Sequence, residues 1–286
     1  MCQIVVVFDF DRTIIDGDSD NWVVTQMGLT PLFQQLISTM PWNSLMVCIE
    51  PLQNRMMEEL HLQEKTIEDI AQCLKQMPLD SHIISAVKAA HSMGCDVRLI
   101  SDANQFFIET ILKQHQLLDY FTEIITNPTQ LAPLTDSFSP EVTQQYFVKP
   151  FNLQSLTEVI VVLPLIDSSI VKGMILERIQ AKADENGKKT FIYLGDGGGD
   201  YCPSLRLGRD DHVMPRKGFP LWDRIQSNPS LVQAKIHEWS SAEQLERILI
   251  PLISGVPIDG SKPNCTSRAS SLTDSSVQNN IISTVE

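Results

Sequence analysis

The sequence predicts an α/β protein built on a doubly wound parallel sheet, with a small helical cap inserted after the first strand. Three observations predict it. Short, largely apolar runs recur at Ile4-Val5-Val6-Val7-Phe8, Val97-Arg98-Leu99-Ile100 and Phe191-Ile192-Tyr193-Leu194, and continuous runs of this kind suit strands covered on both faces. Helical periodicity fills the intervals, and strands alternating with helices indicate parallel βαβ units. Each run ends on side chains that carry chemistry: Asp9, then Ser101-Asp102, then Gly195-Asp196.

In chain order, the first run is followed at 17–79 by helical patterning without a convincing buried strand. Trp22 to Met27 and Asn54 to Leu60 carry it, and Thr66-x-x-Asp69 is a capping-box signature before Ile70 and Leu74. A helix over 81–93 follows from apolar Ile83, Ile84, Val87 and Ala90, with Gly94 where a C-cap glycine belongs. Further helices are expected over 104–115, after the second strand, and 173–184, before the third. The tail from 254 to 286 is rich in Ser, Thr, Asn and Gly and is expected to be disordered. The division is therefore a catalytic core of 1–16 and 80–253 with a helical cap of 17–79.

Composition narrows the function. The 286 residues carry a net charge of −13, which argues against nucleic acid or an anionic membrane surface as partner. An acidic protein that handles phosphate needs a cation to mediate the contact. No basic leader precedes the first strand, and the apolar stretch Val159 to Ile166 is far short of the roughly 20 residues that span a bilayer. Cysteines at 2, 48, 73, 95, 202 and 265 form no CxxC pair, so reduced thiols in a cytoplasmic protein are expected.

The strand ends carry the functional signal. Ligands of an open parallel sheet bind beyond the carboxyl ends of its strands, and Asp9, Asp11, Ser101, Asp102, Asp196 and Asp200 converge there. Singly, each has a bland reading: a DxD pair is usually a turn, Ser101 could cap a helix, and Lys172 beside Gly173 could be solvated. Like charges crowded in a crevice raise one another's pKa, so a divalent cation is the natural neutraliser. Oxygen ligands without clustered His or Cys favour Mg²⁺ over zinc.

These motifs resemble a known family. Phe8-Asp-Phe-Asp-Arg-Thr13 looks like the first motif of the haloacid-dehalogenase-like phosphatases, Leu99-Ile-Ser-Asp-Ala-Asn104 the second, Lys172 the third, and Gly195-Asp-Gly-Gly-Gly-Asp200 the fourth. Asp16-Gly-Asp-Ser-Asp-Asn-Trp22, Thr126-Asn-Pro128 and Tyr193-Leu-Gly-Asp-Gly-x-x-Asp-Tyr-Cys-Pro203 are similar to the phosphoethanolamine/phosphocholine phosphatase family, including its plant inorganic pyrophosphatase and thiamine-phosphate-phosphatase-like members. The resemblance implies a Rossmannoid core and a Mg²⁺-dependent phosphatase acting on a small phosphorylated metabolite or pyrophosphate. Asp9 would be the nucleophile and Asp11 the acid–base. The Asp9 carboxylate, the Asp11 carbonyl and Asp196 would hold Mg²⁺. Ser101 and Lys172 would bind phosphoryl oxygens, Asp200 would orient the metal's waters, and Asp20 and Asp102 would contact the leaving group.

The chain departs from the family in two places. It inserts about 47–53, and it lacks the cysteine-rich loop that relatives carry before Lys172. Pro164-Leu165-Ile166 is what Pro-Pro-Asn-Met codons can give one base out of frame, so the hypothesis for 151–171 is an altered reading frame or splice form. Comparing transcript with genomic DNA tests it: one uninterrupted in-frame exon would count against it. A catalytically impaired variant and a non-hydrolytic phospho-acceptor module are the alternatives to an active enzyme.

Overall fold

The computed structural model describes residues 3–39, 56–57, 59–127, 129–133, 144–148, 168–184, 187 and 189–255. The chain runs β1 (Ile4–Phe8), α1 (Ser19–Gln26), α2 (Thr30–Thr39), α3 (Ile67–Lys75), α4 (Ser81–Ser92), β2 (Asp96–Asn104), α5 (Gln105–Gln114) and β3 (Glu123–Asn127). It continues through β4 (Thr129–Pro133), β5 (Gln144–Val148), α6 (Ser168–Asp184), β6 (Thr190–Gly195), α7 (Tyr201–Leu205), β7 (His212–Pro215), α8 (Pro220–Ser227), β8 (Lys235–Ile236) and α9 (Ala242–Ser254). Six strands form one sheet in the order β3-β2-β1-β6-β7-β8, and each pairing is parallel. β4 and β5, which the sequence reading did not foresee, form a separate antiparallel pair.

The continuous apolar runs are explained by cover on both faces. Successive side chains of a strand point to opposite faces. Val6 and Phe8 join a buried cluster with Ala86 and Val87 of α4, Ile108 and Ile111 of α5, and Leu245 and Leu249 of α9. Val5 and Val7 join a second cluster with Ile175, Leu176 and Ile179 of α6 and Leu221 and Ile225 of α8. Each fully buried aliphatic side chain here stabilises the fold by about 1.5–3 kcal/mol relative to exposure.

Between β1 and α4 the described elements are all helical. The Thr66 hydroxyl accepts from the Asp69 amide at 3.2 Å and the Asp69 carboxylate accepts from the Thr66 amide at 2.7 Å, which completes the capping box. Trp22 Nε1 donates to the Cys73 carbonyl at 3.0 Å and ties α1 to α3. Val23, Val24, Ile70 and Leu74 then bury into the same cluster as Val6 and Phe8. Of the expected 54–60 helix, residues 56–57 and 59–60 are described and helical.

α6 begins at Ser168 rather than at 173, and Gly94 takes the left-handed φ of +80° just beyond the α4 cap. The 47–53 and 151–167 departures, Pro128, Cys2, Cys48, Cys265 and the tail from 256 lie outside the described residues. Cys73, Cys95 and Cys202 are free thiols. No described helix is long and apolar enough to cross a membrane.

Candidate active site

β1 lies between β2 and β6, where the chain's winding reverses, and crevices at such switch points hold ligands. Phe8 is level with Leu99 on one side and Leu194 on the other. The chain is held in that register one residue further, since the Asp9 amide donates to the Leu194 carbonyl at 2.9 Å. Asp9 therefore opens into a cleft with Ser101 and Asp102 to one side and Asp196 to the other. Asp9, Asp11, Asp20, Ser101, Asp102, Lys172 and Asp196 line this cleft, together with Arg12, Asp18, Ala103, Gly197 and Gly199. The cleft has a volume of about 160 Å³.

Lys172 reaches the cleft from α6. Its Nζ lies 3.0 Å from Asp9, 3.1 Å from Asp200 and 3.2 Å from Asp102. Burial alone would pull the Lys172 pKa down, but Asp102, Asp200 and Asp9 more than reverse that and hold it well above the ordinary lysine range. Burial pushes the Asp9 pKa well up, and Asp200 adds to the rise against the opposing pull of Lys172. Asp196 is raised to about 6, by burial first and by Asp200 second. Carboxylate oxygens of Asp9, Asp196 and Asp200 lie within 4.8 Å of one another, all three residues being buried. An oxygen-only, negatively charged group of this kind fits a hard divalent cation.

Asp200 sits behind the cleft, fully buried. Its Oδ2 accepts the Asp196 amide at 3.1 Å and the Gly197 amide at 2.9 Å, while its Oδ1 accepts from Lys172 and, at 2.8 Å, from the Tyr193 hydroxyl. Oδ2 thus shapes the turn after β6 and Oδ1 anchors Lys172 and Tyr193, so that of the three carboxylates Asp9 and Asp196 line the cleft. That turn requires glycine at 195, because a Cβ there would stand 2.5 Å from the Asp200 carboxyl.

Asp11 and Asp20 come from the turn after β1 and the start of α1. Phe10, Ile14 and Ile15 bury beneath the turn, and the Arg12 amide closes it on the Gly17 carbonyl at 2.8 Å. The Asp11 carboxylate accepts the Ser19 amide at 2.9 Å. Burial, then the charges of Asp18 and Asp20, raise the Asp11 pKa and favour its protonated form. Asp18 caps α1 through the Asn21 amide at 3.0 Å and pairs with Arg12 at 3.2 Å.

On the β2 side the ladder with β3 slips between Ile100 and Asn104, and this irregularity turns motif two into the cleft. Asn127 Nδ2 donates to the Asp102 carbonyl at 2.6 Å and Thr126 Oγ1 donates to the Ala103 carbonyl. The Ser101 hydroxyl is buried and accepts the Ala103 amide at 3.1 Å. Sequence reasoning missed Tyr193, Arg12 and Asp18. All three stand inside the motifs quoted above without a role assigned to them: Tyr193 reads as core because it lies in an apolar run, whereas Arg12 and Asp18 were open to notice.

The family model described as "Putative Phosphatase" matches residues 4–253. The chain belongs to this phosphatase family. It is 49% identical over 261 residues to the thiamine phosphate phosphatase-like protein of Arabidopsis thaliana, covering 90% of this chain and 98% of that one. It is 47% identical over 257 residues to inorganic pyrophosphatase 2 of the same plant, covering 89% of this chain and 85% of the relative. In fold it is similar to a HAD family hydrolase from Salmonella enterica serovar Typhi, with a TM-score of 0.52 and 15% identity over 85% of this chain and 70% of the other. The doubly wound sheet of this phosphatase is the haloacid-dehalogenase-like one.

Proposed function

We propose that the chain hydrolyses a small phosphate ester or inorganic pyrophosphate through an aspartyl-phosphate on Asp9, with Mg²⁺ as cofactor, in the cytoplasm. One observation carries this reading: Asp9 ends the central strand with Lys172 Nζ 3.0 Å away and Asp11 lining the same cleft. Asp9 attacks phosphorus, forming the Asp9 O–P bond as the bond to the leaving oxygen breaks. Asp11, steadied by the Ser19 amide, gives its proton to that oxygen. Lys172 and the Ser101 hydroxyl draw the phosphoryl oxygens inward as their charge redistributes. Water then attacks phosphorus, the Asp9 O–P bond breaks, and Asp11 takes the water's proton. Mg²⁺ held by Asp9, Asp196 and the Asp11 carbonyl would screen the approach of an anionic nucleophile to an anionic phosphate.

The names of the two plant relatives, thiamine phosphate and pyrophosphate, support a compact substrate. The rim carboxylates Asp18, Asp20 and Asp102 favour a leaving group that is cationic or chelated by metal. Asp11 in the cleft favours hydrolysis over a non-hydrolytic phospho-acceptor. The three ion pairs of Lys172 favour an active site over an impaired one despite the departure at 151–171. Phosphate release from pyrophosphate, phosphocholine, phosphoethanolamine and thiamine monophosphate, with and without Mg²⁺, tests the reading. Mg²⁺-dependent release from at least one is expected, and none from any would overturn it.

A further inference from the structure

We infer that Arg216 is a positioning residue for Asp11, clamping the turn that carries this carboxyl to the end of β7. The inference rests on the phosphohydrolase reading. Arg216 follows β7 directly, and its amide donates to the Gly195 carbonyl at 3.0 Å, so its backbone is fixed beside Asp196. Its guanidinium carbon stands 4.5 Å from the Phe219 ring centroid and 5.2 Å from that of Trp239, and the side chain is 13% exposed. From this seat Nη1 donates to the Arg12 carbonyl at 2.6 Å, which carries the clamp, while Nη2 pairs with the Asp16 carboxylate, whose 82% exposure makes that pair a minor addition.

Those two contacts straddle the turn after Asp11. Arg12 holds a φ of +56° there, a left-handed conformation that a non-glycine residue keeps only when its surroundings enforce it. The other side-chain grip on Arg12, its ion pair with Asp18, is 47% and 27% exposed at the two partners and contributes little. The Asp11 carboxylate reaches the Ser19 amide across this same turn. Loosening Arg12 and Asp16 therefore moves the proton donor relative to Asp9. Lysine cannot substitute, since one ammonium offers neither the planar fork nor the stacking face.

The test uses the full chain with Arg216→Met, which keeps the apolar stem between the rings, and Arg216→Lys, which keeps the charge. Hydrogen exchange in a peptide spanning Phe10 to Asp20 should quicken about tenfold in both variants, with the α9 amides unchanged. The phosphorylation step with phosphoethanolamine, read in a single turnover, should slow about 10- to 100-fold because its alkoxide leaving group needs a proton. The same step with p-nitrophenyl phosphate, whose leaving group needs no proton, should slow less than about threefold, whereas hydrolysis of the adduct, which uses Asp11 as base, should slow equally for both. Unchanged exchange in that peptide would overturn the clamp, as would loss of protection throughout the chain in both variants. Equal slowing of the phosphorylation step on both substrates would overturn the link to Asp11. If the wild-type chain releases no phosphate from either substrate, the phosphohydrolase reading fails, while the exchange result still decides the clamp.

Discussion

Replacing Lys172 by methionine removes a buried cation from among three carboxylates while keeping the side chain's length. The Nζ contacts at 3.0, 3.1 and 3.2 Å are to Asp9, Asp200 and Asp102, and the lysine side chain is 5% exposed. At an effective dielectric of about 20, each attraction is worth about 5 kcal/mol before desolvation is counted. Most of that is cancelled by the cost of drying the charges, yet removing one partner of such a set costs about 3–5 kcal/mol. For a domain of this size the melting temperature should fall by about 10 °C. The measurement is a thermal melt of both proteins in EDTA near neutral pH. Asp9 has a raised pKa in the fold, so proton uptake by the folded state stabilises it as pH falls, and the deficit should narrow towards acid. Mg²⁺ should narrow it too, by replacing the lost charge. A variant melting within about 2 °C of wild type in EDTA would refute the claim that these carboxylates depend on Lys172.

Asp9→Asn should leave less than about a hundredth of wild-type turnover in a phosphate-release assay, and Asp11→Asn should slow steady-state turnover while still allowing phosphorylation. Excess EDTA should abolish hydrolysis and Mg²⁺ restore it, with Ca²⁺ restoring less because its looser shell lets a carboxylate bind bidentately; an undiminished rate in EDTA would count against the metal. At the opposite end of the sheet, His212 Nδ1 faces His237 Nε2 at 2.9 Å, and burial lowers the His212 pKa from 6.5 to about 4. A depressed folded pKa gives stability that is present above 6.5 and lost as pH falls towards about 4. His212→Asn should therefore flatten the fall in melting temperature over that interval, and an unchanged slope would remove the pair from the acid response.

The strands that were legible are those buried on both faces. β1, β2 and β6 announce themselves through Val, Ile, Leu and Phe, and β1 occupies the residues its run predicts. β3 reads Glu-Ile-Ile-Thr-Asn at the sheet edge, β7 has four residues beginning with His212, and both residues of β8 are exposed. Such segments are paired by neighbours that the sheet supplies, and no periodicity within five residues or fewer reveals that. Asp9 and Asp196 were found because they follow legible strands, and Asp102 because it follows the legible run Val97–Ile100, although β2 continues past it to Asn104. Arg216 obeys the same rule, one residue past β7, and was passed over because His-Val-Met-Pro does not look like a strand. Tyr193 was passed over for the opposite reason: a tyrosine in an apolar run looks like core, and only its contact with Asp200 reveals the polar duty of the hydroxyl.

The central claim is the covalent phosphoryl group on Asp9, and acid-quench trapping tests it most directly. Asp11→Asn, slowed in the second half of the cycle, is mixed with Mg²⁺ and a hydrolysed substrate from the panel, quenched in acid, digested and examined by mass spectrometry. The account predicts a hydroxylamine-labile phosphoryl adduct on the peptide that contains Asp9, absent when Asp9 is also replaced by Asn. Phosphate release without any adduct on that peptide, or an adduct that persists in the Asp9→Asn background, would contradict it.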